Sequence, residues 1–150
     1  MEKNQILDDS IFYSVHKLNR LLHLHFQKLG RFHGVDLSME QWFLLVKLFL
    51  KEGVSQVELT EKIFNDKPNI TRMIDNLEEK FLLQRTNDKN DRRKFLIVLT
   101  DKGREIASRM NKIVSAEKKE LYRGLKIEEI KVLKNIFSRI EENILSSKLN

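Results

Sequence analysis

The chain has 150 residues, a net charge of +6, 41% hydrophobic and 33% charged residues, enough for one compact domain or a small domain with helical arms and too little for two large ones. No apolar run approaches the ~20 residues a membrane-spanning helix needs, and Met1-Glu2-Lys3-Asn4-Gln5 has neither the basic patch nor the apolar stretch of a secretory signal, so a cytoplasmic location is expected. Cysteine is absent, which excludes disulfides, thiolate metal sites and peroxide-sensing thiols.

Ile11, Val15, Leu18, Leu22, His25 and Leu29 recur alternately four and three residues apart. That heptad seam predicts a helix from about Ile6 to Leu29, suited to packing against another helix. Gly30 and Gly34 bracket Arg31-Phe32-His33, which reads as a loop. Asp36 or Ser38 then caps a helix holding Trp42, Phe43, Leu44, Leu45, Val46, Leu48, Phe49 and Leu50, apolar almost all round and therefore expected in the interior. Glu52-Gly53 ends it.

Ser55-Gln56-Val57-Glu58 places a hydroxyl three residues before a carboxylate, the reciprocal arrangement that satisfies orphan amides at a helix start. A short helix follows, with Leu59 and Ile63 one turn apart. Asn65-Asp66 interrupts it, and Pro68 suits the first turn of a second helix beginning near Lys67. Ile70, Met73, Ile74 and Leu77 follow the i, i+3, i+4, i+7 rule and form one buried stripe. Lys67, Asn69, Thr71, Arg72, Asp75 and Asn76 are left facing outward.

After Phe81 the period changes to two. Leu83, Arg85 and Asn87 alternate with Gln84 and Thr86, Asp88-Lys89-Asn90-Asp91 supplies turn chemistry, and Phe95, Ile97 and Leu99 alternate with Leu96 and Val98. The reading is a two-stranded hairpin whose tip carries Arg92, Arg93 and Lys94. Residues 55–103 are almost neutral, with ten basic and nine acidic side chains, yet Arg85 to Lys94 holds five basic and two acidic residues. Positive potential is thus concentrated on the hairpin, where cations reach phosphates or a minor groove. Taken alone, the same charges also suit a solvated hairpin edge.

Thr100 caps a helix from Asp101 to about Leu121, with Ile106, Met110, Ile113 and Val114 apolar, and Gly124 marks its turn. Between Lys126 and Lys148, Ile130, Leu133, Phe137, Ile140 and Ile144 repeat the heptad spacing, with Lys131, Lys134, Arg139 and Glu142 on the polar side. Seams at opposite ends of the chain fit a terminal-helix interface between two copies or a helix pair within one chain.

Leu37-Ser38-Met39-Glu40-Gln41-Trp42, Ile70 to Glu78, and above all Asp91-Arg92-Arg93 followed by Leu99-Thr100 and Gly103 resemble the multiple-antibiotic-resistance-regulator (MarR) family. The resemblance runs from about Leu37 to Gly103. It implies a mainly helical fold with a small β-hairpin wing: a winged helix-turn-helix lobe over 37–103, with dimerisation helices in 1–34 and 104–150. It also implies a homodimeric regulator of transcription, a repressor, that binds an inverted repeat in double-stranded DNA through recognition helices about 34 Å apart. Phe81 stands where the family usually has glycine and Thr60 where alanine is common. A bulky side chain at Phe81 argues against a left-handed helix stop there.

On the second helix of the lobe, Asn69, Thr71 and Arg72 are candidates for base edges, with Lys67 on phosphate. Arg72 has an equal alternative, in which it only bonds the backbone or pairs with Asp75 at i+3. Arg92, Arg93 and Lys94 are the wing contacts, Arg93 at the position most characteristic of the family; Asp91, beside it, and Asp75 are candidates to orient wing arginines. Family members often hold a small molecule between dimer helices and DNA-binding lobe. Here His16, Arg20, His23, Phe26 and Trp42, with Phe32 and His33, offer aromatic walls and a cation for an anionic aromatic effector, although Phe26 and Trp42 equally suit a core. His23 and His25 lie on different helix faces without a carboxylate at i+4, which disfavours a metal-responsive regulator. No nucleophile with a base, phosphate loop or paired-carboxylate spacing points to an enzyme or a cofactor. A winged-helix module for protein or RNA is the remaining alternative.

Overall fold

The computed structural model describes residues 10–63, 67–88, 91 and 94–147, the side chains of 61–63 excepted. In chain order it forms α1 (Ile11–Phe32), α2 (Met39–Leu50), β1 (Val54–Ser55), α3 (Gln56–Ile63), α4 (Lys67–Glu79), β2 (Leu83–Asn87), β3 (Phe95–Leu99), α5 (Asp101–Leu121) and α6 (Ile127–Leu145). The fold class is the expected one, mainly helical with a small antiparallel wing. No helix among the described residues is long and apolar enough to cross a membrane. The chain divides into two units, 1–113 and 114–150.

In the first unit, α1 runs through the expected loop to Phe32. Gly30 does not break the helix. A Cβ there would lie 2.6 Å from the Val35 carbonyl oxygen, and the Val35 N–H donates to the Gly30 carbonyl at 2.8 Å. The glycine admits the returning chain, and the left-handed turn falls at Gly34, φ 66°. Ser38 is the cap of α2: the Gln41 N–H donates to Ser38 Oγ at 3.1 Å and the Ser38 N–H donates to Gln41 Oε1 at 3.0 Å. Asp36 instead approaches Lys80, at 3.5 Å. Contrary to expectation, α2 is not interior all round, since Leu44, Leu45 and Leu48 are buried while Phe43, Phe49 and Leu50 are exposed.

Those leucines share a core with Val54, Leu59, the predicted stripe of α4 (Ile70, Met73, Ile74, Leu77), Leu83, Ile97 and Met110. The expected two-stranded hairpin is a three-stranded sheet of order β1-β3-β2. Leu83 pairs with Leu99 and Asn87 with Phe95, while Val54 pairs with Ile97 and Ser55 with Leu96. Ser55 also starts α3, its Oγ accepting the Glu58 N–H at 3.2 Å, so strand end and helix cap are one residue.

Helix α4 ends in the left-handed stop that Phe81 argued against: Phe81 has φ 58°. The Leu82 N–H donates to the Leu77 carbonyl at 2.9 Å and the Phe81 N–H to the Glu78 carbonyl at 2.9 Å, the paired bonds that close a helix around a left-handed residue. Leu77 and Leu82 are both buried, and the Thr100 hydroxyl donates to the Phe81 carbonyl at 2.7 Å. These bonds and the burial outweigh the roughly 1–2 kcal/mol that a side chain costs in this region. Phe81 itself is 73% exposed, so its ring returns little of that cost. Phe81→Gly is therefore expected to stabilise the protein by about 0.5–1 kcal/mol, read as a higher urea midpoint at unchanged slope; an unchanged or lower midpoint would show that the ring is packed.

The second unit contains α6. The Lys126 N–H donates to Glu129 Oε2 at 2.6 Å to start it. None of its residues is buried, and Val132, Leu133, Ile136, Phe137, Ile140 and Ile144 are exposed along it. The first unit has a matching feature, because Ile11, Val15 and Leu18 of the α1 seam are also exposed.

Candidate nucleic-acid interface

The stripe that α4 buries fixes which of its residues face outward. Lys67, Asn69 and Arg72 are exposed and Thr71 is half-buried. Arg72 pairs with none of the described residues, and Asp75 Oδ1 accepts instead from Arg85 Nη2 at 2.6 Å. Of the two readings of Arg72, the pairing with Asp75 is not formed.

Thr71 and Asn76 are more constrained than their positions imply. Gln56 Nε2 donates to Thr71 Oγ1 at 2.6 Å, and the Thr71 hydroxyl donates to the Lys67 carbonyl at 2.9 Å. The hydroxyl proton is committed, so Thr71 offers an approaching base its methyl group and one acceptor site. Gln41 Nε2 donates to Asn76 Oδ1 at 2.8 Å, which leaves Asn76 its amide donors. Neither bond is signalled in the sequence, since the partners of Gln41 and Gln56 lie 35 and 15 residues away.

On the wing, the Lys94 N–H donates to the Asp91 carbonyl and the Asp88 N–H to the Lys94 carbonyl, both at 2.9 Å, closing the tip. Asp91 Oδ2 is 3.5 Å from Lys94 Nζ; Arg92 and Arg93 lie outside the described residues. At the wing root, Arg85 Nη1 donates to Glu78 Oε2, and Glu78 Oε1 accepts the Arg85 N–H at 3.1 Å. The Asp75 hydrogen bond and the charges of Glu78 and Asp75 raise the Arg85 pKa above its ordinary value against the opposing effect of desolvation. A cation whose pKa rises on folding contributes stability that is full below its unfolded value and is lost only as pH climbs through the raised one. Arg85 therefore stays charged across any ordinary buffer range.

The candidate effector residues are brought together in part. Phe26 and Trp42 stack at 5.4 Å between ring centroids, and His23 Nε2 lies 3.4 Å from Glu40 Oε1 on the same helix as Trp42. His16 and Arg20 are exposed on α1. Trp42 Nε1 is buried with no hydrogen-bond acceptor, a donor that would gain from one. A separate polar cleft of about 310 Å³, lined by Gln27, Arg31, Asp36, Ser38 and Gln41, opens beside it in sequence, and sequence reasoning missed it. Among the described residues no group of three or more His, Asp or Glu side chains converges as a metal site would.

Residues 37–95 match the model of the MarR family. The chain is similar to the transcriptional repressor CouR bound to a 23-mer DNA duplex, with 26% identity over 90% of this chain and 94% of that one and a TM-score of 0.80. BpsR of Bordetella bronchiseptica, whose DNA binding is regulated by 6-hydroxynicotinic acid, shares the fold at 20% identity, covering 89% and 94% of the two chains with a TM-score of 0.78. So does PcaV of Streptomyces coelicolor with its natural ligand, at 20% identity, 91% and 94% coverage and a TM-score of 0.78.

Proposed function

We propose, for a chain that belongs to the MarR family of DNA-binding transcriptional regulators, that two copies join through α1 and α6 and repress transcription by holding an inverted repeat. The observation that carries the DNA reading is the outward side of α4, where Arg72 stands exposed and unpaired among the described residues and Lys67 is exposed at the start of the same helix. Arg72 can fork onto a guanine edge, Lys67 and the wing cations neutralise phosphates, and Thr71 meets a thymine methyl. The exposed apolar seams of α1 and α6 support the dimer, since rows of this kind are covered in stable assemblies. Selection from random duplexes is expected to return two half-sites one helical turn apart, bound with steep salt dependence; light scattering should give twice the 17.9 kDa chain mass. Absence of any duplex preference, or a monomer mass at micromolar concentration, counts against the reading. Arg72→Ala is expected to cost about 1–3 kcal/mol of binding and to relax preference at a single base pair of each half-site; an unchanged selection profile would remove Arg72 as a base reader.

The reading extends to a small anionic aromatic effector near His23, Phe26 and Trp42. The buried, unpartnered Trp42 Nε1 supports it, as do the regulation of BpsR DNA binding by 6-hydroxynicotinic acid and the natural ligand bound by PcaV. Such a ligand acts by preferring a dimer geometry whose half-site spacing misfits DNA. Trp42 is the single tryptophan, so titration with 6-hydroxynicotinic acid, the BpsR ligand, or with related aromatic carboxylates is read directly as a change in its fluorescence and in DNA affinity. Neither signal moving with any of them would dismiss this site.

A further inference from the structure

We infer that Arg85 is a positioning residue: by straddling Asp75 and Glu78 it fixes the wing at a set angle to α4, and it is not itself a phosphate ligand. The inference rests on the DNA-binding reading above. By sequence Arg85 counts among the five cations that make the wing positive. The other one among the described residues is Lys94, whose ammonium lies 3.5 Å from Asp91 at the tip; Arg85 is held at the root instead. Asp75 and Glu78 lie three residues apart on one face of α4, and both are bonded to the Arg85 guanidinium. The second oxygen of Glu78 takes the main-chain N–H of the same residue at 3.1 Å. One arginine on β2 is thus held to the recognition helix at its side chain and at its backbone.

Electrostatics keeps it there. The three side chains sum to one negative charge, so a guanidinium released to a phosphate would leave two neighbouring carboxylates uncompensated in front of a polyanion. One ion pair would form where two were lost. The clamp also sits where a small error is amplified, because Arg85 lies at the middle of β2 and the tip is about 15 Å further along the strand direction at roughly 3.3 Å per residue. A tilt of about 10° at Arg85 moves the tip by about 2–3 Å, more than the tolerance of a hydrogen bond. Helix and wing engage different parts of the duplex, so their separation has to be held before binding.

The test uses the full-length protein on the duplex recovered by selection, with affinity measured across a range of salt. Arg85→Gln is expected to weaken binding about tenfold or more while leaving the slope of log K against log salt unchanged. Arg85→Lys should fall nearly as far, because an ammonium cannot span two carboxylates as the fork does. Lys94→Ala is the comparison, with a slope reduced by about 0.9 for one lost phosphate contact. The decisive variant is Asp75→Asn with Glu78→Gln, which keeps Arg85 and makes the site more positive by two charges. If charge alone mattered it would bind more tightly; if the clamp positions the wing it binds more weakly. Tighter binding by that variant, wild-type affinity in Arg85→Gln, or a slope lowered by about 0.9 in Arg85→Gln would each overturn the inference. Should Arg85→Gln unfold, the Arg85→Lys and carboxamide variants decide. A wild-type protein with no salt-dependent duplex binding would instead refute the DNA reading itself.

Discussion

Replacing Gly103 by alanine is expected to destabilise the first unit by about 3 kcal/mol or more, a fall of about 6–12 °C in midpoint for a chain of this size. The reason is steric. A Cβ at Gly103 would stand 1.7 Å from the Leu82 carbonyl oxygen and 2.7 Å from its carbonyl carbon, and that backbone cannot retreat. The same carbonyl accepts the Thr100 N–H at 3.2 Å, while the Leu82 N–H is bonded to Leu77. The first turn of α5 is thus pressed onto the stop of α4, and Gly103 is the residue that permits contact. The Gly103 N–H is also capped by Thr100 Oγ1 at 3.0 Å, so displacement would lose the cap as well. Gly34→Ala is the control: its φ is 66° but nothing lies within 4 Å of an added Cβ, so only backbone strain of about 1 kcal/mol is at stake. Thermal and urea unfolding of both variants checks the contrast; similar losses in the two would show that the Leu82 contact is not the cause.

Arg92→Ala combined with Arg93→Ala is expected to abolish tight DNA binding while leaving the folded state intact. Both residues belong to the cationic run between Arg85 and Lys94, and the main-chain bonds that close the tip are made by Asp88, Asp91 and Lys94. Removing two phosphate or minor-groove contacts should lower the slope of log K against log salt by about 1.8. Circular dichroism and the thermal midpoint would stay near wild type. Affinity retained at moderate salt would refute the wing role, and loss of fold would transfer the arginines to a structural one.

The elements whose side chains repeat are legible in the sequence. The stripe Ile70, Met73, Ile74, Leu77 is buried, the hairpin register follows the alternation from Leu83 to Leu99, and Ser55 caps where its spacing to Glu58 said it should. What the chain hid falls into three physical kinds. A two-residue strand such as Val54–Ser55 has no period to detect. A glycine in a helix says that something comes close or that the helix stops, and only the Val35 carbonyl at Gly30 distinguishes the two. Local preference also yields to tertiary bonding, as at Phe81, where the hydroxyl of Thr100 and the burial of Leu82 hold a conformation that phenylalanine disfavours. At the site, outward direction was readable but commitment was not. Asp75 is expected to orient a wing arginine; its partner among the described residues is Arg85, at the wing root, and not a cation of the tip. The spacing of Asp75 and Glu78 on one helix face was the signal for a bridging cation.

The contact between Glu78 and the main chain of Arg85 has one more consequence. In the order β1-β3-β2 the strand β2 is an outer one, and a bare outer strand recruits strands from other molecules. The Arg85 N–H bonds to Glu78 and so points away from β3. A foreign strand arriving there finds that donor already taken and two carboxylates and a guanidinium standing in its path. Severing the clamp should therefore lower the concentration at which the protein stays clear of aggregates.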